Sequence, residues 1–250
     1  MRRVDAAALA DLIRARQPCV VLTGAGISTE SGIPDFRSAE GIWARYDPME
    51  VATIEAFRRD PVKVWDFYAR RLGVLAEAEP NDGHRALAEL ERRRLVQAVI
   101  TQNIDSLHTR AGSSDVIEVH GSIRRHVCLA CGAAETLATV VTQLETRPAP
   151  ECPGCGTVLK PGVVMFGELL PVDAMARAEH LAGEASLLLV VGSTLEVWPV
   201  AGLPEETLRH GGALAIVNRG PTALDHRADL RVNGGAGEVL TAVVDALTVV

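Results

Sequence analysis

The sequence predicts an α/β fold: a parallel sheet covered by helices on both faces, with a smaller inserted module. Three observations predict it. Short runs of Val, Ile and Leu recur along the chain and alternate with helical stretches. The 250 residues are 48% hydrophobic, enough for a sizeable core, yet only 4% aromatic, so Ala, Val and Leu dominate. Two stretches, about 33–79 and 121–160, interrupt the alternation.

The elements follow in order. Residues 5–16 place Ala8, Leu9, Leu12 and Ile13 on one helical face, and Pro18 ends that helix. Residues 19–22 form a short buried strand. Further strands are expected at 97–101, 116–119, 187–191 and 213–217, with a weaker one at 230–232 before a helix at 238–247. The first interruption holds Trp43 and Trp65 and reads as irregular loop plus helices at 54–58 and 62–76. The second holds paired cysteines and a loop at Arg147-Pro148-Ala149-Pro150. Both interruptions are expected to pack together beside the sheet. The sheet domain then comprises 1–32, 80–120 and 161–250, and the small module 33–79 and 121–160.

The formal net charge is -7 and no basic stripe occurs, which argues against a nucleic-acid partner held through phosphates. The run Glu91-Arg92-Arg93-Arg94 reads as the solvated end of a helix. Arg2 and Arg3 are followed by Asp5 and Asp11 rather than by the apolar stretch of a signal peptide. The longest aliphatic run, Leu187 to Val191, is too short to cross a bilayer. A cytoplasmic monomer without membrane attachment is expected.

Cys128-Leu-Ala-Cys131 and Cys152-Pro-Gly-Cys155 are two Cys-x-x-Cys pairs, each followed by a glycine, Gly132 or Gly156. In a cytosolic chain this spacing points to one tetrahedral zinc ion held by four thiolates. Four protein ligands leave no open position for water, so the zinc is structural. Cys19 stands alone and reads as a small core residue.

Gly24-Ala25-Gly26 follows the first strand, where N–H groups can donate to a pyrophosphate. The third glycine of a dinucleotide fingerprint is replaced by Thr29, and no acidic residue ends a second strand. A dehydrogenase is therefore an awkward reading. Other polar segments sit at expected strand ends: Thr101 to His108, Glu118-Val119-His120-Gly121, Gly192-Ser193-Thr194, and Asn218. Ligands of open parallel sheets bind at carboxyl ends of strands. Any one of these residues alone reads as a cap; together they outline a cleft.

These motifs resemble those of the sirtuins, NAD-dependent protein lysine deacylases of bacterial type. The matching segments are Gly24-Ala25-Gly26-Ile27-Ser28, Ser31-Gly32-Ile33-Pro34-Asp35-Phe36-Arg37, Thr101-Gln102-Asn103-Ile104-Asp105, His120-Gly121, both cysteine pairs, Val164-Met165-Phe166-Gly167-Glu168 with Leu170-Pro171, and Gly192-Ser193. They run in family order over nearly the whole chain. The resemblance implies a Rossmann-like domain with NAD in a cleft beside the zinc module. It implies that an acyl-lysine oxygen attacks the nicotinamide ribose, giving lysine, nicotinamide and O-acyl-ADP-ribose.

The resemblance also implies residue roles. His120 is the general base, and Asn103 hydrogen-bonds the ribose or a water near it. Asp105, beside Ile104, accepts from the nicotinamide amide. Phe36 covers the ribose face after nicotinamide leaves; Arg37 and Gln102 orient the cofactor. Gly24, Ala25, Gly26, Ser28, Asp35 and Trp43 complete that half. Gly192, Ser193, Thr194, Asn218, Arg219, Gly220 and Ala236 take the adenosine half. A peptide is expected as an extended strand between Val164-Met165-Phe166-Gly167-Glu168 on one side and Leu195-Glu196-Val197 on the other. His84 and His108 read as ordinary core histidines.

Tyr68 and Arg71 form a Tyr-x-x-Arg pair on one helical face. This resembles the branch that removes succinyl and malonyl groups, with Ala52 leaving room for the longer acyl chain. Arg is suited to a two-pronged bond with a carboxylate. A mono-ADP-ribosyltransferase on the same NAD site and a non-catalytic zinc-ribbon module are the alternative readings.

Overall fold

The computed structural model describes residues 3–248. Helix α1 (Arg3–Ala15) leads into strand β1 (Cys19–Thr23) and then a 3-10 turn, Ala25–Ser31. Helices α2 (Pro48–Val51), α3 (Ile54–Arg59), α4 (Pro61–Glu77) and α5 (Asp82–Arg92) follow. Next come β2 (Ala98–Thr101), α6 (Leu107–Ala111) and β3 (Val116–Glu118). The cysteine segment contributes β4 (Gly121–Val127), β5 (Ala134–Thr136), α7 (Leu137–Leu144) and β6 (Lys160–Val163). Helix α8 (Val172–Glu184), β7 (Leu187–Val191), α9 (Leu203–Arg209), β8 (Ala213–Val217), β9 (Leu230–Val232) and α10 (Ala236–Ala246) complete the chain.

The main sheet runs β3-β2-β1-β7-β8-β9, with every neighbouring pair parallel. Strand order reverses between β1 and β7, the doubly wound arrangement in which a crevice opens beyond the strand ends. Alternate residues of each strand serve opposite faces. Cys19 and Val21 pack with Leu187, Leu189, Ala213 and Ala215 against α1, α5 and α10. Val20 and Leu22 pack with Leu188, Val190, Leu214 and Ile216 against α8 and α9. On the four central strands, β2, β1, β7 and β8, both faces are dry, so they are almost wholly apolar rather than alternating, which is why they read so plainly in the sequence.

A second, antiparallel sheet of order β5-β4-β6 lies in the cysteine segment. It was not foreseen, and it reaches Val163, past the expected boundary at 160. The helical insertion and the cysteine segment share one apolar core containing Val51, Trp65, Phe67, Leu72, Cys128, Val140, Cys152 and Leu159. Trp65 Nε1 donates to the Leu159 carbonyl at 2.6 Å, a bond made wholly inside that core.

Helix α4 carries most of the link. Asp60 caps it by accepting from Lys63 N, and Pro61 occupies the first turn, where its missing N–H costs nothing. Val64, Trp65, Phe67, Tyr68, Leu72 and Leu75 form its buried face. Gly73 lies on the opposite, exposed face, and a Cβ there would meet no heavy atom within 4 Å. Gly73→Ala is therefore expected to stabilise the fold by about 1 kcal/mol, through helix propensity and a less disordered unfolded chain. Thermal unfolding followed by circular dichroism should show a Tm higher by about 2–4 °C; an unchanged or lower Tm would contradict this account.

Candidate active site

Between the carboxyl ends of β1, β2 and β7 and the small module lies a cleft of about 1590 Å³. That exceeds the ~300–1,000 Å³ usual for a single small ligand and leaves room for two substrates to meet. Its floor is the turn after β1. Gly24 N donates to the Val191 carbonyl at 3.1 Å and Gly26 N to the Gly192 carbonyl at 2.8 Å. Both N–H groups are thus engaged with carbonyls at the end of β7. What the glycines supply is close approach, since a Cβ on either would lie 2.8 Å from Gly192 backbone atoms. Gly32, at φ 80, closes the turn in the left-handed region.

A buried polar network stands over this floor. Asn103 Nδ2 donates to the Gly24 carbonyl and to Ser28 Oγ, each at 3.1 Å. Ser28 Oγ donates to Asp105 Oδ2 at 2.7 Å, and Leu107 N donates to Asp105 Oδ1 at 2.9 Å. Burial raises the Asp105 pKa against the pull of these donors. Beneath it, burial lowers the pKa of His84 to about 4 and that of His108 to about 3. His108 Nε2 lies 2.9 Å from Thr23 Oγ1, and Thr23 in turn donates to Thr101 Oγ1. Both histidines are neutral core residues that support the loop.

His120 sits at the cleft wall. Its Nδ1 lies 3.0 Å from the Gln102 carbonyl, an acceptor only, so Nδ1 carries the hydrogen. Nε2 is left as the unprotonated nitrogen. Burial, working against that bond, lowers its pKa. Gln102 Nε2 donates to Ser193 Oγ at 3.0 Å, joining the ends of β2 and β7.

Most of the expected NAD residues line this one cleft: Ala25, Asp35, Phe36, Arg37, Trp43, Ile104, Gly192, Ser193, Thr194, Asn218, Arg219 and Ala236 all border it. Gly220 does not; it lies beyond the rim, exposed and at φ 81. Asp35 uses Oδ1 within its own loop, accepting from Arg37 N and Ser38 N at 3.1 and 2.8 Å. Arg37 reaches across the mouth to Glu196 at 3.1 Å.

Of the expected peptide-binding residues, Val164, Phe166, Gly167, Glu168 and Val197 border the cleft. Leu195 does not; it is buried in the core below α8 and α9. Phe166 already pairs through N and O with Ala52 and Ile54, at 2.9 and 3.0 Å, so an added strand must use its neighbours. Lys160 braces this segment from below. Its buried Nζ donates to the Val163 carbonyl at 2.7 Å and meets Glu168 Oε2 at 2.9 Å.

Ala52, Tyr68 and Arg71 all line the cleft. Tyr68 is buried and its pKa is pushed up to about 12, first by burial. The half-buried Arg71 guanidinium lies 5.0 Å from the Phe36 ring centroid and 5.3 Å from that of Phe67. Among the described residues no carboxylate pairs with it.

Away from the cleft, the four Sγ atoms of Cys128, Cys131, Cys152 and Cys155 lie within 4.8 Å of one another. The 128–155, 131–152 and 131–155 separations are 3.4, 3.6 and 3.7 Å. A tetrahedron with zinc–sulfur bonds of about 2.3 Å has edges of about 3.8 Å, so the donor set fits zinc. The two knuckles match: Gly132 N donates to the Cys128 carbonyl and Gly156 N to the Cys152 carbonyl, both at 2.9 Å.

Residues 24–199 match the Sir2 family. The chain belongs to that family.

Relatives of this Sir2 protein include NAD-dependent protein deacylase 2 of Pyrobaculum aerophilum, 46% identical over 95% of this chain and 94% of its own. The NAD-dependent protein deacylase of Pyrococcus furiosus is 46% identical, covering 91% and 92%. A solved Sir2 structure with a p53 peptide and NAD+ superposes with a TM-score of 0.90 at 41% identity, covering 97% and 98%. Another, with a deacetylated p53 peptide and 3'-O-acetyl ADP-ribose, gives 0.92 at 42%, covering 95% and 96%.

The sequence of this Sir2 protein gave Phe67 no role, although it lines the cleft. Phe67 precedes Arg71 by one helical turn, so the i, i+4 spacing could have found it. Glu196, part of the expected peptide segment, also lines the cleft, but nothing local announces its ion pair with Arg37.

Cys152→Ser should abolish stoichiometric zinc and unfold the small module at lower temperature. Structural zinc sites contribute roughly 10–16 kcal/mol of apparent binding free energy near neutral pH. Metal analysis of the purified protein, alongside its melting curve, checks this; retained zinc with an unchanged melt would refute it.

Proposed function

We propose that this Sir2 protein is an NAD-dependent protein lysine deacylase that prefers acyl groups ending in a carboxylate. The observation that carries the first half is the His120–Gln102 bond. It leaves Nε2 as a proton acceptor at the wall of a cleft large enough for a dinucleotide and a side chain together. NAD supplies an electrophilic sugar carbon with nicotinamide as its leaving group. The chain's own residues bind, orient and exclude water around that carbon. Asn103 presents its amide beside Ser28, and His120 removes a proton from the ribose hydroxyls. Phe36 excludes water from the exposed sugar face. The products are lysine, nicotinamide and O-acyl-ADP-ribose. Cys128, Cys131, Cys152 and Cys155 hold one structural zinc, which closes the small module and takes no part in the chemistry.

Arg71 supports the acyl preference. A guanidinium withdrawn from water and lacking a carboxylate of its own favours a ligand that brings one. Tyr68 adds a protonated hydroxyl, kept so by burial. Acetyl groups offer neither contact a partner.

Mass spectrometry of the products formed from NAD and a mixture of acetyl and succinyl versions of one peptide tests both halves. Succinyl transfer should exceed acetyl transfer in kcat/KM. Arg71→Met should remove most of the succinyl advantage, by about 10-fold or more for a lost charge-assisted pair. Equal loss on both substrates would overturn the acyl preference; nicotinamide release without acyl transfer would favour an ADP-ribosyltransferase.

His120→Ala should lower kcat by about 10²–10⁴-fold. Because burial lowers the His120 pKa below its ordinary 6.5, the neutral base persists below that pH. Activity is then lost only as pH falls through the lowered value. The acid limb of kcat/KM should lie below pH 6.5, and a limb above it would refute this assignment.

A further inference from the structure

The loop after Gly32 is fixed by its main chain but not by its aromatic ring. Ile42 N donates to the Asp35 carbonyl at 2.8 Å and Trp43 N to the Phe36 carbonyl at 3.0 Å. The Asp35 carboxylate ties the next two N–H groups. These bonds set the Phe36 backbone and leave its side-chain torsions free. Two groups then meet the ring. Trp43 lies 5.2 Å away, tilted at 37°, and the Arg71 guanidinium carbon lies 5.0 Å from its centroid.

Arg71 is itself held. It follows Phe67 by one turn of α4, and the Phe67 ring lies 5.3 Å from its guanidinium carbon. Trp43 stacks on that same ring at 6.2 Å and 17°, so Phe36, Trp43, Phe67 and Arg71 form a closed cluster. A cation over an aromatic face is attracted by the ring quadrupole, more strongly when water is kept away.

We propose that Arg71 is a positioning residue for Phe36: its guanidinium, between the Phe67 and Phe36 rings, holds the Phe36 side chain over the cleft. The shielding of the reacting sugar carbon from water then depends on a cation in the acyl pocket. The inference rests on the assignment of Phe36 as that shield. It adds to Arg71 a role that operates with any acyl group, including one without a carboxylate. It also means that an acyl carboxylate and the Phe36 ring share one cation.

An acetyl-lysine peptide isolates this role, because it offers Arg71 no carboxylate. The readout is the partition of NAD turnover: nicotinamide released per O-acetyl-ADP-ribose formed, which does not depend on how much enzyme is folded. Phe36→Leu should raise this ratio, and so should Arg71→Met, by about fivefold. Arg71→Lys keeps the charge but lacks the planar face and should fall between Arg71→Met and wild type. The double variant Phe36→Leu/Arg71→Met should be no worse than Phe36→Leu alone, because both remove one device. If Arg71→Met leaves the ratio at its wild-type value while Phe36→Leu raises it, the shield stands and the positioning role is wrong. If Phe36→Leu leaves the ratio unchanged, the shield assignment itself fails and the inference with it. If the two single effects multiply in the double variant, Arg71 does not act through Phe36.

Discussion

The contact on which the rest depends is backbone against backbone, where the turn after β1 meets the end of β7. Gly24, Gly26 and Gly192 approach so closely that a single added methyl on either of the first two would overlap main-chain atoms. The approach locks two parallel strands at the point where the sheet changes direction. It thereby sets the height of the cleft floor. Ser28 is aimed at Asn103 and Asp105 because the 3-10 turn starts there. The loop carrying Phe36 leaves from Gly32 at a fixed angle. Asn103, His120 and Ser193 all stand at ends of strands packed in that same sheet, so one contact registers them together.

Charge is distributed around the cleft with little waste. Its floor is furnished with neutral donors and acceptors, Ser28, Asn103, Gln102 and Ser193, over two core histidines kept neutral by burial. Neutral groups cost less to bury than ions and still orient a polar substrate. Where ions are buried they are paired, as Lys160 is with Glu168 and two carbonyls. Arg71 departs from this pattern. Its charge is offset by aromatic faces rather than by an anion, which leaves it able to take one.

The main sheet was legible because its four central strands, β2, β1, β7 and β8, are dry on both faces. The expected bounds of Leu187–Val191, Ala213–Val217 and Leu230–Val232 coincide with the observed strands. The cysteine pairs were legible because metal geometry demands that spacing. The small sheet was not. β4 carries exposed Arg124 and Arg125 and opens on glycine, and β5 spans three residues, so neither shows an apolar period. Its register comes from the knuckles and the shared core instead. The glycines after β1 were legible as a turn that borders the cleft, but not the strand end they pack against. Fingerprint logic points to a phosphate, whereas their close neighbour is Gly192, which no local pattern connects to them. Phe67, and the ion pair of Glu196 with Arg37, were not legible for the related reason that each depends on what tertiary packing sets opposite it.

The central place of β1 has a consequence for how the protein is made. β1 leaves the ribosome early, but its two neighbours in the sheet are β2 and, much later, β7. Until Leu187 to Val191 emerge, one edge of this fully buried strand has no partner. Helix α1, already synthesised and packed on the same strand face, can screen part of that surface but none of its edge. Nascent chains stalled between β6 and β7 are therefore the species most exposed to mispairing, because non-local parallel pairing is slow and unpaired edges aggregate. The glycine contact that organises the finished cleft needs Gly192, so the cleft floor cannot close until β7 has been made.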